Sequence, residues 1–250
     1  MGIIIKSERE IEIMRRAGRV VGTVLNELKN SLKPGMKTCE LDKMAEKMII
    51  AQGAVPSFKG YHGFPGCACV SVNEEIVHGI PGDRILKEGD IVSLDLGAIV
   101  DGFHGDAAVT VGVGRISAEA AGLIAATEQA LAEGIKAARS GRRLGDIGAA
   151  IQQYAEGHGY GVVREYTGHG IGREMHEKPS VPNYGRPGSG ELLKKGMTMA
   201  LEPMLNMGTW RTRIGPDAWT VSTDDGKLSA HYEHTIVITD GEAEVLTVAG

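Results

Sequence analysis

Apolar positions early in the chain recur at helical spacing: Ile11, Met14, Val21, Val24, Leu25 and Leu28 fall on one stripe. Ser7 and Glu10 stand three apart just ahead of that stripe, the capping-box spacing that opens a helix. A second helix is predicted to open at Thr38, to place Leu41, Met44, Ala45 and Met48 on one face, and to stop at Gly53. A third, rich in Ala and Glu, opens at Ser117 and stops near Gly141. A fourth is predicted from about residue 146 to 159, again with glycine at its end. Strand-like runs lie between and after these helix pairs, at 91–96, 104–111, 197–201 and 232–239.

These elements repeat. Gly35 and Gly53 flank the second predicted helix and Gly141 and Gly159 the fourth, each pair 18 apart and the pairs offset by 106. KEGDIVSLD (87–95) resembles KKGMTMALE (194–202) at an offset of 107, and HGI at 78–80 has a counterpart at 169–171. Matches in the same order point to two similar halves joined near 112–117, each with two helices followed by an antiparallel sheet. Face to face, such halves form one curved sheet covered by helices. The expectation is an α+β fold in a single domain over 1–250, with pseudo-repeat halves at about 1–112 and 113–250.

Composition narrows the field. Charged residues make up 24% and apolar ones 42%, an ordinary globular balance. The net charge of −5 argues against nucleic acid as the main partner, since phosphate binding needs a basic footprint. Glycine, at 36 residues, is about twice its usual share, which implies many tight turns and close backbone approaches. Three cysteines make no disulfide framework and are read as reduced thiols. No apolar run is long enough to span a membrane, MGIIIKSERE turns charged too soon for a signal peptide, and Lys6 stands where a myristoylation motif needs Ser or Thr. The reading is a cytoplasmic protein without a membrane partner.

The repeat puts an acid at the same place in both halves, Asp95 and Glu202. Each lies in an apolar strand, where a lone charge is costly unless paired or coordinated. Asp101-Gly102 is a hairpin signal, and the returning strand carries Asp106. A two-residue turn pairs positions whose numbers sum to 203, so Asp106 faces Gly97 and Asp95 is its diagonal neighbour on the same face. The second half offers a matching return strand with Glu233, and His169 sits in a glycine-rich GHGIG segment. Four carboxylates and one imidazole suit a pair of divalent transition ions rather than a Cys-rich structural zinc. Two such ions can activate water and polarise a carbonyl. Taken singly, a strand Asp reads equally well as a turn or salt-bridge residue, and His78 or His176 more readily as a partly buried histidine than as a catalytic group; the symmetric placement of the acids is what raises them.

At this point the sequence resembles the type I methionine aminopeptidases, of the pita-bread metallopeptidase fold. The motifs are YHGFPG (61–66), SVNEEIVHGIP (71–81), SLDLGAIVDGFHGDAAVT (93–110), GHGIGREMHEKPSVPNYG (168–185), LEPM (201–204) and SAHYEHT (229–235). The resemblance spans nearly the whole chain. It implies removal of the N-terminal methionine from nascent polypeptides with a small second residue, by metal-hydroxide attack at a dinuclear site. It implies Asp95, Asp106, His169, Glu202 and Glu233 as metal ligands, with Asp106 and Glu233 bridging. Glu202 would shuttle the proton to the leaving amine, His176 would hold the carbonyl oxygen and His78 would position the scissile amide. The methionine pocket would be lined by Phe58, Tyr61, Phe64, Cys69, Met175 and Trp219. Cobalt, manganese, iron and zinc all suit the ligand set.

Four departures from that pattern stand out. Met175 replaces a usual aromatic, Phe58 a usually smaller residue, Gly66-Cys67-Ala68 a usual Lys-Ser-Val, and His231 a usual Gln. Met175 and Phe58 bear on pocket shape, not on the reaction, and 66–68 on the pocket rim only; His231, two residues before Glu233, bears on the surroundings of that ligand or titrates near neutral pH. Prolidase and aminopeptidase P share the five ligands, so a proline-directed aminopeptidase is one alternative. A non-catalytic binding module is the other, although such proteins lose ligands. Prolidase-like relatives carry a long N-terminal domain, whereas here the catalytic pattern starts within the first ten residues. Type II relatives carry an insertion in the second half, and only 33 positions separate His169 from Glu202. Ribosome docking would use surface loops around Trp210, Arg211 and Arg213, and a monomer is expected.

Overall fold

The computed structural model describes residues 2–249. Helix α1 (Glu8–Ser31) begins where the sequence signals it. The Ser7 hydroxyl accepts from the Glu10 N–H, and the Glu10 carboxylate accepts from the Ser7 N–H. All six residues of its predicted stripe are buried. Gly18 shares that face for a different reason. A Cβ there would lie 2.1 Å from the Leu246 carbonyl oxygen, so glycine lets the helix approach the C-terminal segment.

Helix α2 (Thr38–Ala51) keeps its predicted start. Helix α3 (Ala118–Ala137) is capped by the Ser117 hydroxyl but ends four residues before Gly141, because Ala138 leaves helical geometry at ψ 77°. Helix α4 (Leu144–Gly157) starts two residues earlier than predicted. Asp146 is its third residue, and the Asp146 carboxylate accepts from the Arg143 N–H at 2.8 Å. Among the described residues no helix is long and apolar enough to cross a membrane.

Five strands precede residue 113: β1 (Val55–Pro56), β2 (Ala68–Val72), β3 (Glu75–Val77), β4 (Ile91–Val100) and β5 (Phe103–Gly112). After it come β6 (Gly161–Val162), β7 (Gly168–Gly170), β8 (Glu177–Val181), β9 (Thr198–Leu201) and β10 (Met204–Asn206). The last are β11 (Thr212–Ile214), β12 (Val221–Thr223), β13 (Ser229–His231), β14 (Glu233–Val237) and β15 (Glu244–Val245). Nine of them form one sheet in the order β1-β4-β5-β14-β9-β7-β8, with β2 also on β4 and β15 also on β14. Each pairing in it is antiparallel. The β4–β5 hairpin turns on Asp101 and Gly102, both at positive φ, and its pairs sum to 203 as predicted.

Helices cover one face of this sheet. Leu94, Leu96 and Ala107 pack with the buried faces of α1 and α2, and Met199, Leu201 and Ile236 with those of α3 and α4. Two small sheets, β13-β10-β6 and β11-β12-β3, flank it. In the second, Val221 pairs with Val77, which ties the segment just after Trp219 to the one just before His78.

Candidate active site

Strand register decides which side chains meet on the face away from the helices. Asp95, Ala108 and Glu233 lie opposite one another on β4, β5 and β14. The β14–β9 register, continued one residue past Leu201, sets Glu202 beside Glu233. The next row on that face holds Gly97 and Asp106, then Thr235, Ala200 and His169. Thr235 locks the row: its hydroxyl accepts from the Asp106 N–H at 3.0 Å and donates to the Asp106 carbonyl at 2.8 Å. Alternate residues of a strand share a face. All five predicted donors therefore gather in two adjacent rows; at Gly97 a Cβ would lie 2.8 Å from the Ser57 side chain, so glycine there lets the loop at Ser57 close over the strand.

His169 Nε2 lies 3.6 Å from Glu202 Oε1 and 3.8 Å from Asp106 Oδ2. Donor atoms of Asp106, His169 and Glu233 all lie within 4.8 Å of one another. His169 Nδ1–H donates to the Gly170 carbonyl at 2.9 Å, which leaves the Nε2 lone pair facing the acids. Burial, reinforced by His176, pushes the His169 pKa down to about 3, so the ring is neutral. Burial raises the acids: Asp95 to about 7, and Asp106, Glu202 and Glu233 well above the usual carboxylate range, where neighbouring carboxylates add to the rise.

One oxygen each of Asp95, Asp106 and Glu233 is buried without a hydrogen-bond partner. Among the described residues, the basic partners within ion-pair distance of these acids are the imidazoles of His169 and His231. Four clustered carboxylates that no lysine or arginine among the described residues neutralises, with one neutral imidazole, fit divalent cations.

A cavity of 220 Å³ opens on the cluster. Phe58, Tyr61, Phe64, Cys69, Met175 and Trp219 form its apolar wall, and His62, His78 and His176 also line it. Tyr61 sits in a tight 3-10 turn in which His62 and Gly63 both take positive φ. Its hydroxyl meets His176 Nδ1 at 2.8 Å, and the two rings stack at 5.5 Å. The His176 ring lies 4.1 Å from that of His169, and burial lowers its pKa, with His62 adding to the effect. The Phe64 ring meets Trp219 edge-on at 5.2 Å. Trp219 is held by Asp217, whose carboxylate accepts from the Trp219 N–H, the Thr220 N–H and the Thr220 hydroxyl. Cys69 lies opposite Asp95 across β2 and β4, a buried thiol raised by burial.

His78 takes φ 60°, a left-handed conformation that a residue with a side chain adopts at some expense and that recurs at functional sites. Burial pushes its pKa down to about 4. His231 is 1% exposed with neither ring nitrogen bonded, and its Nε2 lies 4.0 Å from both Glu202 Oε2 and Glu233 Oε2. It stands behind the acids as a neutral ring, its pKa pushed down to about 3 by burial. Trp210, Arg211 and Arg213 are not on the cavity wall; Arg164 and Arg211 stack on Trp210 at 5.1 and 5.5 Å. Sequence reading missed His62 on the wall and Tyr166, whose ring meets His78 edge-on at 5.8 Å. The one signal for His62 was its place between Tyr61 and Gly63 in the YHGFPG motif.

Residues 12–240 match the model of metallopeptidase family M24. A methionine aminopeptidase of Clostridium perfringens is 54% identical over 246 residues, 98% of this chain and 99% of that one. The chain belongs to the methionine aminopeptidases of family M24. The crystal structure of the Thermotoga maritima methionine aminopeptidase matches with a TM-score of 0.97 at 46% identity, covering 99% of this chain and all of that one. An Xaa-Pro dipeptidase from Bacillus anthracis matches at 0.79 and 25% identity, covering 98% of this chain but 62% of that one. The architecture is thus the α+β pita-bread fold that methionine aminopeptidases share with prolidases. Membership of a metallopeptidase family agrees with this donor set and supports the use of divalent metal.

Proposed function

We propose that the protein removes the N-terminal methionine of polypeptides whose second residue is small, at a site holding two divalent ions. The observation that carries this is a single cavity that joins an aromatic slot to the acid cluster. Asp95, Asp106, His169, Glu202 and Glu233 would hold the ions. When bound, the ions supply Lewis-acid activation of a water and of the scissile carbonyl.

The chain's own residues do the rest. Phe58, Tyr61, Phe64, Cys69, Met175 and Trp219 close round the methionine side chain, where sulfur–ring contacts contribute ~0.3–1.5 kcal/mol each. His176, its Nδ1 engaged by Tyr61, turns Nε2 to the carbonyl oxygen and stabilises the charge developing there. His78 positions the scissile amide. Glu202 takes the proton from the attacking water and delivers it to the leaving nitrogen.

The chain is read as one catalytic unit of two pseudo-repeat halves, which the unbroken sheet from β1 to β8 supports. It is further read as a cytoplasmic monomer that meets the ribosome through Trp210, Arg211 and Arg213. Unchanged ribosome co-sedimentation after charge reversal at the two arginines would end that last reading.

The central test is hydrolysis of Met-Gly-x, Met-Leu-x and Ala-Pro-x peptides by chelator-stripped protein given manganese, cobalt, iron or zinc. Methionine release from Met-Gly-x alone is expected. Cleavage of Ala-Pro-x would move the protein to the proline-directed branch. Ion binding without turnover of any peptide would make it a binding module.

A further inference from the structure

The N-terminal arm and the loop carrying His176 meet in a buried ion pair that no step above uses. Lys6 and Glu177 are 171 residues apart in sequence, yet Lys6 Nζ touches Glu177 Oε2 with side chains only 3% and 5% exposed. Burying two charges is expensive, and apolar residues of similar volume often stabilise a fold as well or better. Stability alone therefore does not account for the pair.

What the pair holds is specific. The other Glu177 oxygen, Oε1, accepts from the backbone N–H groups of Arg173 at 2.9 Å and Glu174 at 3.4 Å. The Gly172 N–H donates to the Glu174 carbonyl at 3.1 Å, so the 172–177 turn is wrapped round the carboxylate. At Gly172 a Cβ would lie 2.5 Å from both Glu177 Oε1 and Lys6 Cε; the ion pair occupies that space. This turn carries Met175 into the cavity wall and His176 against His169. Lys6 is itself anchored, its N–H donating at 2.8 Å to the carbonyl of Gly196, two residues ahead of β9.

We propose that Lys6 is a positioning residue for the reaction. Its ammonium fixes the Glu177 carboxylate, the carboxylate fixes the 172–177 turn, and the turn sets His176 over the reacting carbonyl. This rests on the role given to His176 above.

The test compares K6M, K6R and K6M/E177L with H176A, as metal-loaded protein on Met-Gly-x and well below the melting temperature. K6M lowers kcat about 10-fold or more, the size of effect expected from slight misplacement of a reacting group. K6R restores most of that loss. Amide exchange at Arg173 and Glu174 speeds up in K6M, while manganese affinity, which reads the five donors rather than His176, stays within about twofold. K6M/E177L exchanges the pair for apolar neighbours; it keeps its melting temperature yet stays slow, which separates positioning from stability. Unchanged kcat in both K6M and K6M/E177L, with H176A strongly impaired, overturns the proposal. Unchanged kcat in H176A removes the role of His176 and this proposal with it.

Discussion

At the residue scale the governing fact is that buried Asp95, Asp106 and Glu233 and the partly buried Glu202 line one cavity with no lysine or arginine within ion-pair distance among the described residues. Their folded-state pKa values are raised, so the metal-free fold favours their neutral forms. The contribution of such groups is fully present below the unfolded carboxylate pKa of about 4 and is lost as pH rises through the folded values. Chelator-stripped protein should therefore lose thermal stability as pH climbs from about 4 through 7, the value that Asp95 reaches. Added manganese or cobalt should restore it most at the high end. Melting curves across that range check this, and a flat profile would show that the acids are neutralised some other way. D106N removes a central donor and should lower kcat at least about 100-fold through loss of several kcal/mol of Lewis-acid assistance, with weaker metal binding by titration.

The acids were legible in sequence because a repeat and a period of two placed them. Glu177 was not, since its meaning depends on Lys6 at the far end of the chain. His62 was equally hidden, because no periodicity marks a side chain presented by a left-handed turn.

At the element scale, the helices follow their caps and the strands their length. The capping box of α1 and the Ser117 cap of α3 could be read directly, because each satisfies a backbone N–H locally. The end of α3 could not, since Ala138 carries no stop signal of its own. The turn and register of the hairpin β4–β5 were legible, though β4 runs four residues further than predicted and β5 one further at each end, whereas β7, β10, β11 and β13 are three residues long and too short for any period to show. Two outcomes belong here. G18A should destabilise the protein by about 1–3 kcal/mol in urea unfolding, because the new Cβ meets backbone rather than a yielding side chain. D217A removes the acceptor that holds the Trp219 turn. It should raise KM for Met-Gly-x by about threefold to tenfold, the scale of one or two hydrogen bonds, with kcat little changed.

At the scale of the molecule, one sheet serves two solvents. Its helix-covered face is apolar core, and its other face carries the acids and the aromatic cavity. Specificity is a property of the whole site and is read on a whole protein: a polypeptide beginning Met-Gly should be a substrate. Its intact mass after incubation with the metal-loaded protein should show the methionine gone; full retention would contradict the preference for a small second residue.

The five donors come from β4, β5, β7 and β14 and from Glu202 just beyond β9, strands contributed by distant stretches of the chain. Ions held there as proposed would act as stitches through the seam where β5 meets β14, a seam that the strands hold by a short register of Glu233 and His234 on Ala108 and Ala107. The catalytic charge is therefore also a clasp. A cell short of metal would lose more than turnover: the unclasped seam opens more often, and degradation follows opening. Half-life under a broad protease, with and without chelator, reads that link between nutrition and persistence.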